Sequence, residues 1–499
     1  MNSRPADQRA GLPVARLATL ASLLAALAGC AVPPVRDGAP PAVPVPAAWS
    51  ASAVAPSRPA DAPSSPAAAA PLATAPPPAA APALAGAPAA LARWWLRFDD
   101  PQLGALVAQA LEANASLRSA RAALAQARAL RDVQAAGLLP NLGASGSAQR
   151  ARPAGGDTAN RFQAGLDAGW ELDVFGGRQA AVRAAEADAR VAQENLAALQ
   201  VSLSAEVALA YIELRGLQAR LAIARGNLAA QAETLQLAQW RVQAGLASSV
   251  ELEQARAATG QTAAQIPALE AAIAQAGHAL AALTGRAPLA LRAQLDEARP
   301  VPQPAAALAL SIPAETLRQR PDVRRAEQQI SAALARVSQA DAARHPGFRL
   351  GGTLGLSALT LGGLNSGAAV FDSLLASVSV PLLDGGAARA QVRAQEAALE
   401  QARAGYESVV LGALQEVEDA LVALAKDRER LVRLREAAEA AGHAALLAQQ
   451  RYAGGLIDFQ VVLETQRTLL ATQDSVANTG ANLGADHVRL FKALGGGWE

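Results

Sequence analysis

The feature that most constrains this chain is an internal duplication whose copies are too long and too uneven to be short repeats. Residues 178–285 align with 388–495 at a constant offset of 210. Val182-Arg183-Ala184-Ala185-Glu186-Ala187 matches Val392-Arg393-Ala394-Gln395-Glu396-Ala397. Glu206-Val207 matches Glu416-Val417, and Arg241, Gly245 and Leu246 match Arg451, Gly455 and Leu456. Upstream the offset is 206, pairing Arg118 with Arg324 and Pro140 with Pro346. One period of this size means a duplicated domain rather than a solenoid. Each copy reads helix, two strand-like segments around a Gly-rich loop, a very long helix, a Gly-Leu break and a return helix.

The long helices follow from what is missing. No proline occurs between Pro153 and Pro267, or after Pro381. Gly177 to Gly245 is 69 residues, roughly 100 Å as a helix, and Gly386 to Gly455 nearly repeats it. Val410, Leu414, Val417, Leu421, Leu424 and Leu431 step by 4, 3, 4, 3 and 7, the spacing of a coiled-coil seam. Helices this long persist only when packed along their length. The predicted return helices, Val250 to Leu283 and Gln460 to Leu494, supply antiparallel partners. Preceding helices are predicted over Leu103 to Gly137 and Ala314 to Ala343. Aromatics are 3% and apolar residues 52%, mostly Ala, Leu and Val, a composition for close helix contacts.

The strands carry the other half of the argument. Phe162, Ala164, Leu166, Ala168, Trp170 and Leu172 alternate with polar or small residues, and so do Phe348, Leu350, Gly352, Leu354 and Leu356. Asn141 to Gln149 and Val370 to Val380 alternate less cleanly. Period two over about ten residues suits a transmembrane strand with one face to lipid, and equally a half-buried soluble sheet. Four strands cannot close a barrel, and an open edge is excluded from lipid. If the strands span a membrane, several chains must share one barrel, and three chains give twelve strands. A solid coiled-coil rod is the reading without the strands.

The first thirty residues read as an address. Arg4, Arg9 and Arg16 precede a short apolar run, Leu17 to Ala28, that ends in Leu27-Ala28-Gly29-Cys30. The run is too short to span a bilayer but fits a signal peptide. It resembles a bacterial lipobox, in which Cys30, the one Cys of the chain, is acylated after cleavage. Ala31 in place of Asp favours the outer membrane. No run of 18 uninterrupted apolar residues follows, so no transmembrane helix is expected in the mature chain. Residues 31–90 hold 16 of the 30 prolines, predicting a disordered, partly polyproline II tether. The expected organisation is 1–29 signal peptide, 30–90 lipidated Cys and tether, 91–285 first repeat with strands near 141–150 and 162–174, 286–316 inter-repeat segment, and 317–499 second repeat with strands near 348–358 and 370–383.

Several functions are disfavoured. With 44 Lys+Arg against 43 Asp+Glu, the chain lacks the basic excess of a nucleic-acid binder. His278, His345, His443 and His487 lie far apart, none with helical i, i+4 spacing to a His or Cys, so no metal, cofactor or catalytic site is expected. No Ser-centred elbow or phosphate-cradling loop is evident. The one Met is residue 1, which leaves no thioether site for Cu(I) in the mature chain.

Over about residues 91 to 499 the chain resembles the TolC/OprM family of outer-membrane efflux channels, in its lipoprotein branch. The resemblance rests on Trp94-Trp95-Leu96-Arg97-Phe98-Asp99-Asp100-Pro101-Gln102-Leu103 and on Arg320-Pro321-Asp322-Val323-Arg324-Arg325-Ala326-Glu327. It rests also on Phe175-Gly176-Gly177-Arg178, Leu383-Asp384-Gly385-Gly386, Arg451-Tyr452-Ala453-Gly454-Gly455-Leu456 and Val462-Leu463-Glu464-Thr465-Gln466-Arg467. It implies a mainly α fold, a homotrimer whose twelve-stranded transmembrane β-barrel, four strands per chain, continues into a long periplasmic α-helical barrel. A mixed belt would use 286–316 and the termini. It implies passive export of small molecules such as drugs through the outer membrane, with a periplasmic adaptor protein and an inner-membrane RND-type transporter as partners. Type I protein secretion and metal-ion efflux are alternatives within the family, and a periplasmic coiled-coil scaffold or adaptor is an alternative outside it. The resemblance assigns Gly245, Leu246, Gly455 and Leu456 to adaptor-docking tips. It assigns Glu464 and Gln460 to a pore-facing periplasmic gate and Glu251 to a latch acid. Ile457 stands where some relatives place an Arg, leaving Arg451 or Arg241 as the latch partner.

Overall fold

The computed structural model describes residues 39–46, 48–49, 91–152, 155, 157–304 and 313–496. Cys30, the signal peptide and most of the expected tether lie outside the described residues. In chain order, a 3-10 turn over Trp94–Phe98 leads to α1 (Pro101–Ala113), α2 (Ala115–Ala136), β1 (Asn141–Ala151), β2 (Ala159–Leu172), α3 (Gly177–Gln243) and α4 (Ser249–Leu283). After α5 (Arg292–Leu295) the second copy runs α6 (Pro313–Arg318), α7 (Pro321–Ala342), β3 (Gly347–Ala358), α8 (Gly363–Ser366), β4 (Ala369–Ser379), α9 (Ala387–Ala453) and α10 (Phe459–Ala493). The chain divides into two compact units. One holds the strands, within 138–180 and 336–393, and the other holds most of the helices, within 40–137, 181–335 and 394–499.

In the strand unit, the described residues form one antiparallel sheet in the order β1-β2-β3-β4. The register sets Trp170 opposite Leu350, Leu166 opposite Leu354 and Phe348 opposite Val378. Because side chains alternate along a strand, those residues share one face with Leu142, Ala144, Phe162 and Leu374. The other face carries Ser145, Ser147, Asp167, Thr353, Ser373 and Ser377. There Ser145 Oγ donates to Asp167 Oδ2 at 2.6 Å, and the Thr353 and Ser373 hydroxyls lie 2.7 Å apart. Leu166, Leu354 and Leu374 are exposed in the single chain.

In the helical unit the main core gathers Trp94, Trp95 and Phe98 from the start, Leu291 and Leu295 from the inter-repeat segment, and Leu490, Phe491 and Leu494 from the end. Trp94 stacks on Phe491 at 5.3 Å between ring centroids. The coiled-coil seam on α9 is buried at Val410, Val417, Leu421, Leu424 and Leu431.

The structure departs from the sequence expectations in four places. The helix expected over Leu103 to Gly137 breaks at Asn114, an extended residue whose side chain accepts from the Ser116 and Leu117 amides at 2.8 and 3.3 Å and starts α2. The helix expected over Ala314 to Ala343 breaks before Pro321, because a proline disfavours helical backbone in the residue before it. Part of the expected tether is packed. Val43 and Val45 lie against a cluster of Leu317, Val323, Val410 and Ala413, and Trp49 is 2% exposed in the main core. Finally, α3 and α4 each contain a window long and apolar enough, by length and composition, to cross a membrane. Ala lifts their mean hydropathy although polar residues interrupt every run.

Candidate functional site at the hairpin tips

Each long helix ends in the same way. Leu246 N–H donates to the Arg241 carbonyl at 2.7 Å and Gly245 N–H to the Val242 carbonyl at 3.0 Å. In the second copy Leu456 donates to Arg451 at 2.9 Å and Gly455 to Tyr452 at 2.9 Å. This paired closure needs a left-handed residue, and Gly245 and Gly455 take φ of 71° and 73°. The chain then turns back. Ser248 caps α4 through the Glu251 amide at 3.4 Å, and Asp458 precedes α10. Leu246 and Leu456, beside the turns, are 69% and 76% exposed.

The two tips pack on each other. Tyr452, Phe459, Val462 and Leu463 of the second hairpin bury against Ala238, Ala255 and Ala258 of the first. Above them α3 meets α10 through a ladder of polar pairs. Gln466 donates to Thr234 at 2.8 Å, Asn227 to Gln473 at 2.8 Å, and Arg220 pairs with Asp474 at 2.6 Å. On α3 the positions Arg220, Asn227, Thr234 and Arg241 recur every seven residues, so one helix face carries the whole seam.

Arg241, Tyr452 and Glu251 form a lock at the bottom of this seam. The Arg241 guanidinium lies over the Tyr452 ring, 4.5 Å from its centroid, and donates to the Tyr452 carbonyl oxygen. The Tyr452 hydroxyl donates to Glu251 Oε2 at 3.0 Å. Burial pushes the Tyr452 phenol up, and its hydrogen bond to the Glu251 carboxylate adds to this, to about 12. The expected latch acid, Glu251, therefore takes a tyrosine hydroxyl and not an arginine. Arg241 reaches the second tip through a ring face and a carbonyl, Arg451 is exposed, and Ile457 packs against the tip cluster. Sequence reasoning missed Tyr452 because it looked for a cation to match the acid. Its signal was its place in the Arg451–Leu456 motif.

Glu464 and Gln460 stand apart from this lock. Both are exposed, one helical turn apart on α10, while Val462 and Leu463 between them are buried. Their carboxylate and amide thus lie off the packed face, where copies around a symmetry axis can present them together. Among the described residues no group of His, Cys, Asp and Glu is arranged to hold a metal ion.

The chain matches the family model described as "Outer membrane efflux protein" over residues 106–286 and 312–496. It belongs to the outer-membrane efflux protein family. Curated relatives include the toluene efflux pump outer membrane protein TtgF of Pseudomonas putida, 32% identical over 81% of this chain and 85% of that one. The pyoverdine export outer membrane protein OpmQ of Pseudomonas aeruginosa is 32% identical over 82% of this chain and 88% of its own length. Among solved structures, the outer-membrane channel OprN superposes with a TM-score of 0.78 at 37% identity, covering 84% of this chain and 98% of that one. The outer membrane protein VceC of Vibrio cholerae gives 0.75 at 27% identity, covering 82% and 99%. The fold is that of the trimeric TolC-type channels, with a β-barrel to which each chain gives four strands and a helical barrel extending into the periplasm. Family members form trimeric outer-membrane channels within tripartite efflux pumps, and this chain is an outer-membrane efflux channel protein.

Proposed function

We propose that the hairpin tips are the regulated periplasmic gate of this channel. The observation that carries the reading is the lock itself. Arg241 and Glu251 of one hairpin hold Tyr452 of the other, while Leu246 and Leu456 stay exposed beside it. A periplasmic adaptor docks on Gly245-Leu246 and Gly455-Leu456. An inner-membrane RND-type transporter supplies the drive, because nothing in a passive duct couples export to an energy source. Docking separates the tips and small molecules leave by diffusion. The pump selects the cargo, so the toluene and pyoverdine in the relatives' names do not transfer. Lipid on Cys30 anchors the chain in the outer membrane, each buried methylene contributing about 0.8 kcal/mol.

Three copies make Glu464 a ring of carboxylates, with Gln460 one turn nearer the tips. A charged ring between low-dielectric walls repels anions and attracts cations. In planar bilayers Glu464→Gln lowers cation selectivity and weakens block by divalent cations. Unchanged selectivity and block remove Glu464 from the pore.

A further inference from the structure

β1 and β4 are the edges of the described sheet. Each is 11 residues long and pairs on one side. In lipid such edges must be paired, and in a trimeric barrel β4 of one protomer closes on β1 of the next. The duplication supplies the register of that seam. Moving β1 by 206 and β2 by 210 turns each observed β1–β2 pair into an observed β3–β4 pair. Leu142 opposite Ala168 becomes Phe348 opposite Val378, and Ser147 opposite Gln163 becomes Thr353 opposite Ser373. The hairpins are therefore equivalent units. The β2–β3 contact, which joins one hairpin to the next within a chain, is the template for the contact between chains.

We infer that β4 pairs antiparallel with β1 of the next protomer in the register that sets Asp372 opposite the partner's Arg152 and Ser377 opposite the partner's Ser147. These pairs are the images of Phe162 opposite Ala358 and of Asp167 opposite Thr353. Electrostatics supports the same seam. Asp372 is the one carboxylate, among the described residues, on the face of the sheet that carries Leu354, Leu374 and Val378. A carboxylate facing lipid without a partner is destabilising. The inferred register gives it the partner's Arg152 directly and the partner's Arg150 on the diagonal, both within cross-strand reach. Asp372 and Arg150 lie toward the hairpin-loop ends of their strands and Arg152 one residue past the end of β1, all away from the strand-to-helix junctions. A one-residue slip would set lipid-facing residues against lumen-facing ones. Charge alone tolerates a two-residue slip that puts Asp372 opposite the partner's Arg150, but the hairpin repeat does not.

Engineered disulfides read the register directly, in the full-length chain with the parent as background, since Cys30 is its one cysteine. Two double variants are made, Ser377→Cys with Ser147→Cys and Ala376→Cys with Ala148→Cys. Consecutive antiparallel pairs alternate between wide and close spacing, so at least one of the two should give covalent trimers on mild oxidation. That yield should exceed, several-fold, the yield from Ser377→Cys with Ser145→Cys or Gln149→Cys. Preferential linking at either slipped pair, or no linking at both predicted pairs while trimers still form, overturns the register. In parallel, Asp372→Arg should lower the temperature at which trimers dissociate on a semi-native gel. Adding Arg150→Asp and Arg152→Asp should restore it, and failure to restore overturns the ion pair.

Discussion

The two copies fold by the same local rules and hold the molecule together by different ones. At the helix starts the shared device is visible. Asn114 Nδ2 donates to the Leu283 carbonyl at 2.9 Å, and at the matching position Arg320 donates to the matching Ala493 carbonyl. Gly285 and Gly495 follow those carbonyls, and a Cβ on either would approach backbone atoms of Ala113 or Arg320 to 2.7 or 3.0 Å. Beyond this the copies diverge. In the first, buried Arg215 donates to Gln102 Oε1 at 2.6 Å and to the Glu297 carbonyl at 2.6 Å, and its guanidinium lies 4.9 Å from the Tyr211 ring centroid. Tyr211 in turn donates to Asp100 at 2.9 Å. The matching positions in the second copy are Leu421 and Ala425. There the polar pin is Arg320 itself, bonded to Asp322 at 2.7 Å and Glu416 at 2.8 Å. Burial alone would raise the Asp322 carboxyl, but the hydrogen bonds and charge of Arg320 outweigh it and hold it below the usual range.

The tips repeat the lesson. Both end in the same Gly-Leu closure, yet Arg241 and Glu251 do their work in the first copy, their second-copy counterparts being Arg451 and Val461, and Tyr452 does its work in the second, its first-copy counterpart being Val242. What each copy needs in order to fold is common to both. At the tips, what differs is where one copy touches the other, since a contact between two unlike surfaces needs a different residue on each side, whereas the pins at Arg215 and Arg320 differ within their own halves.

The sharpest contrast to draw experimentally is between the exposed leucines. Leu456→Asp should abolish efflux in a resistance assay while trimers form normally, because it alters a surface residue and leaves the helix closure intact. Leu246→Asp tests whether the first tip is needed as much. Full resistance in both variants would remove the tips from adaptor docking. Next in size are the buried pins. Arg215→Ala strands the Gln102 and Gln218 side-chain oxygens and the Glu297 carbonyl and should destabilise by about 3 kcal/mol, the scale of stranded buried polar groups. Arg320→Ala should lose a similar amount, whereas Arg320→Asn, which copies the first-repeat solution, should lose less. Denaturant midpoints of the solubilised protein give this ranking, and equal losses for Arg320→Ala and Arg320→Asn would break the equivalence with Asn114. The smallest effect is the Tyr452 titration. A raised phenol binds its proton more tightly in the folded state, so its contribution is whole below about pH 10, the unfolded value. It fades as pH rises through about 12. Phenolate absorbance should lose its step near pH 12 in Tyr452→Phe, and the lock should be indifferent to pH between 7 and 9.

Much of this was legible in the sequence, for reasons that mark the limit. Alternation in Phe162–Leu172 and the absence of proline after Pro381 reflect solvent and backbone, which act locally. The break at Asn114 hid because an N-cap inside an Ala-rich run leaves no Gly or Pro. Arg215 hid because, besides its neighbours Tyr211 and Gln218, the partners that hold it buried, Gln102 and the Leu295 and Glu297 carbonyls, lie 80 residues or more away. The apolar stretch around it, Ala205 to Leu217, was the available clue. Resemblance singled out Glu251 as a latch acid and Glu464 as a gate residue, but the tyrosine that Glu251 accepts from came only with the geometry.

Single-channel conductance in planar bilayers tests the central claim, that the tip lock holds the periplasmic end shut. Tyr452→Phe removes the hydroxyl that Glu251 accepts but keeps the ring that packs on Phe459 and lies under Arg241. The account predicts longer-lived or larger openings than in the parent, with trimer yield and barrel pairing unchanged, and larger still when Arg241→Ala is added. Conductance equal to that of the parent in the double variant would show that the channel is closed somewhere else.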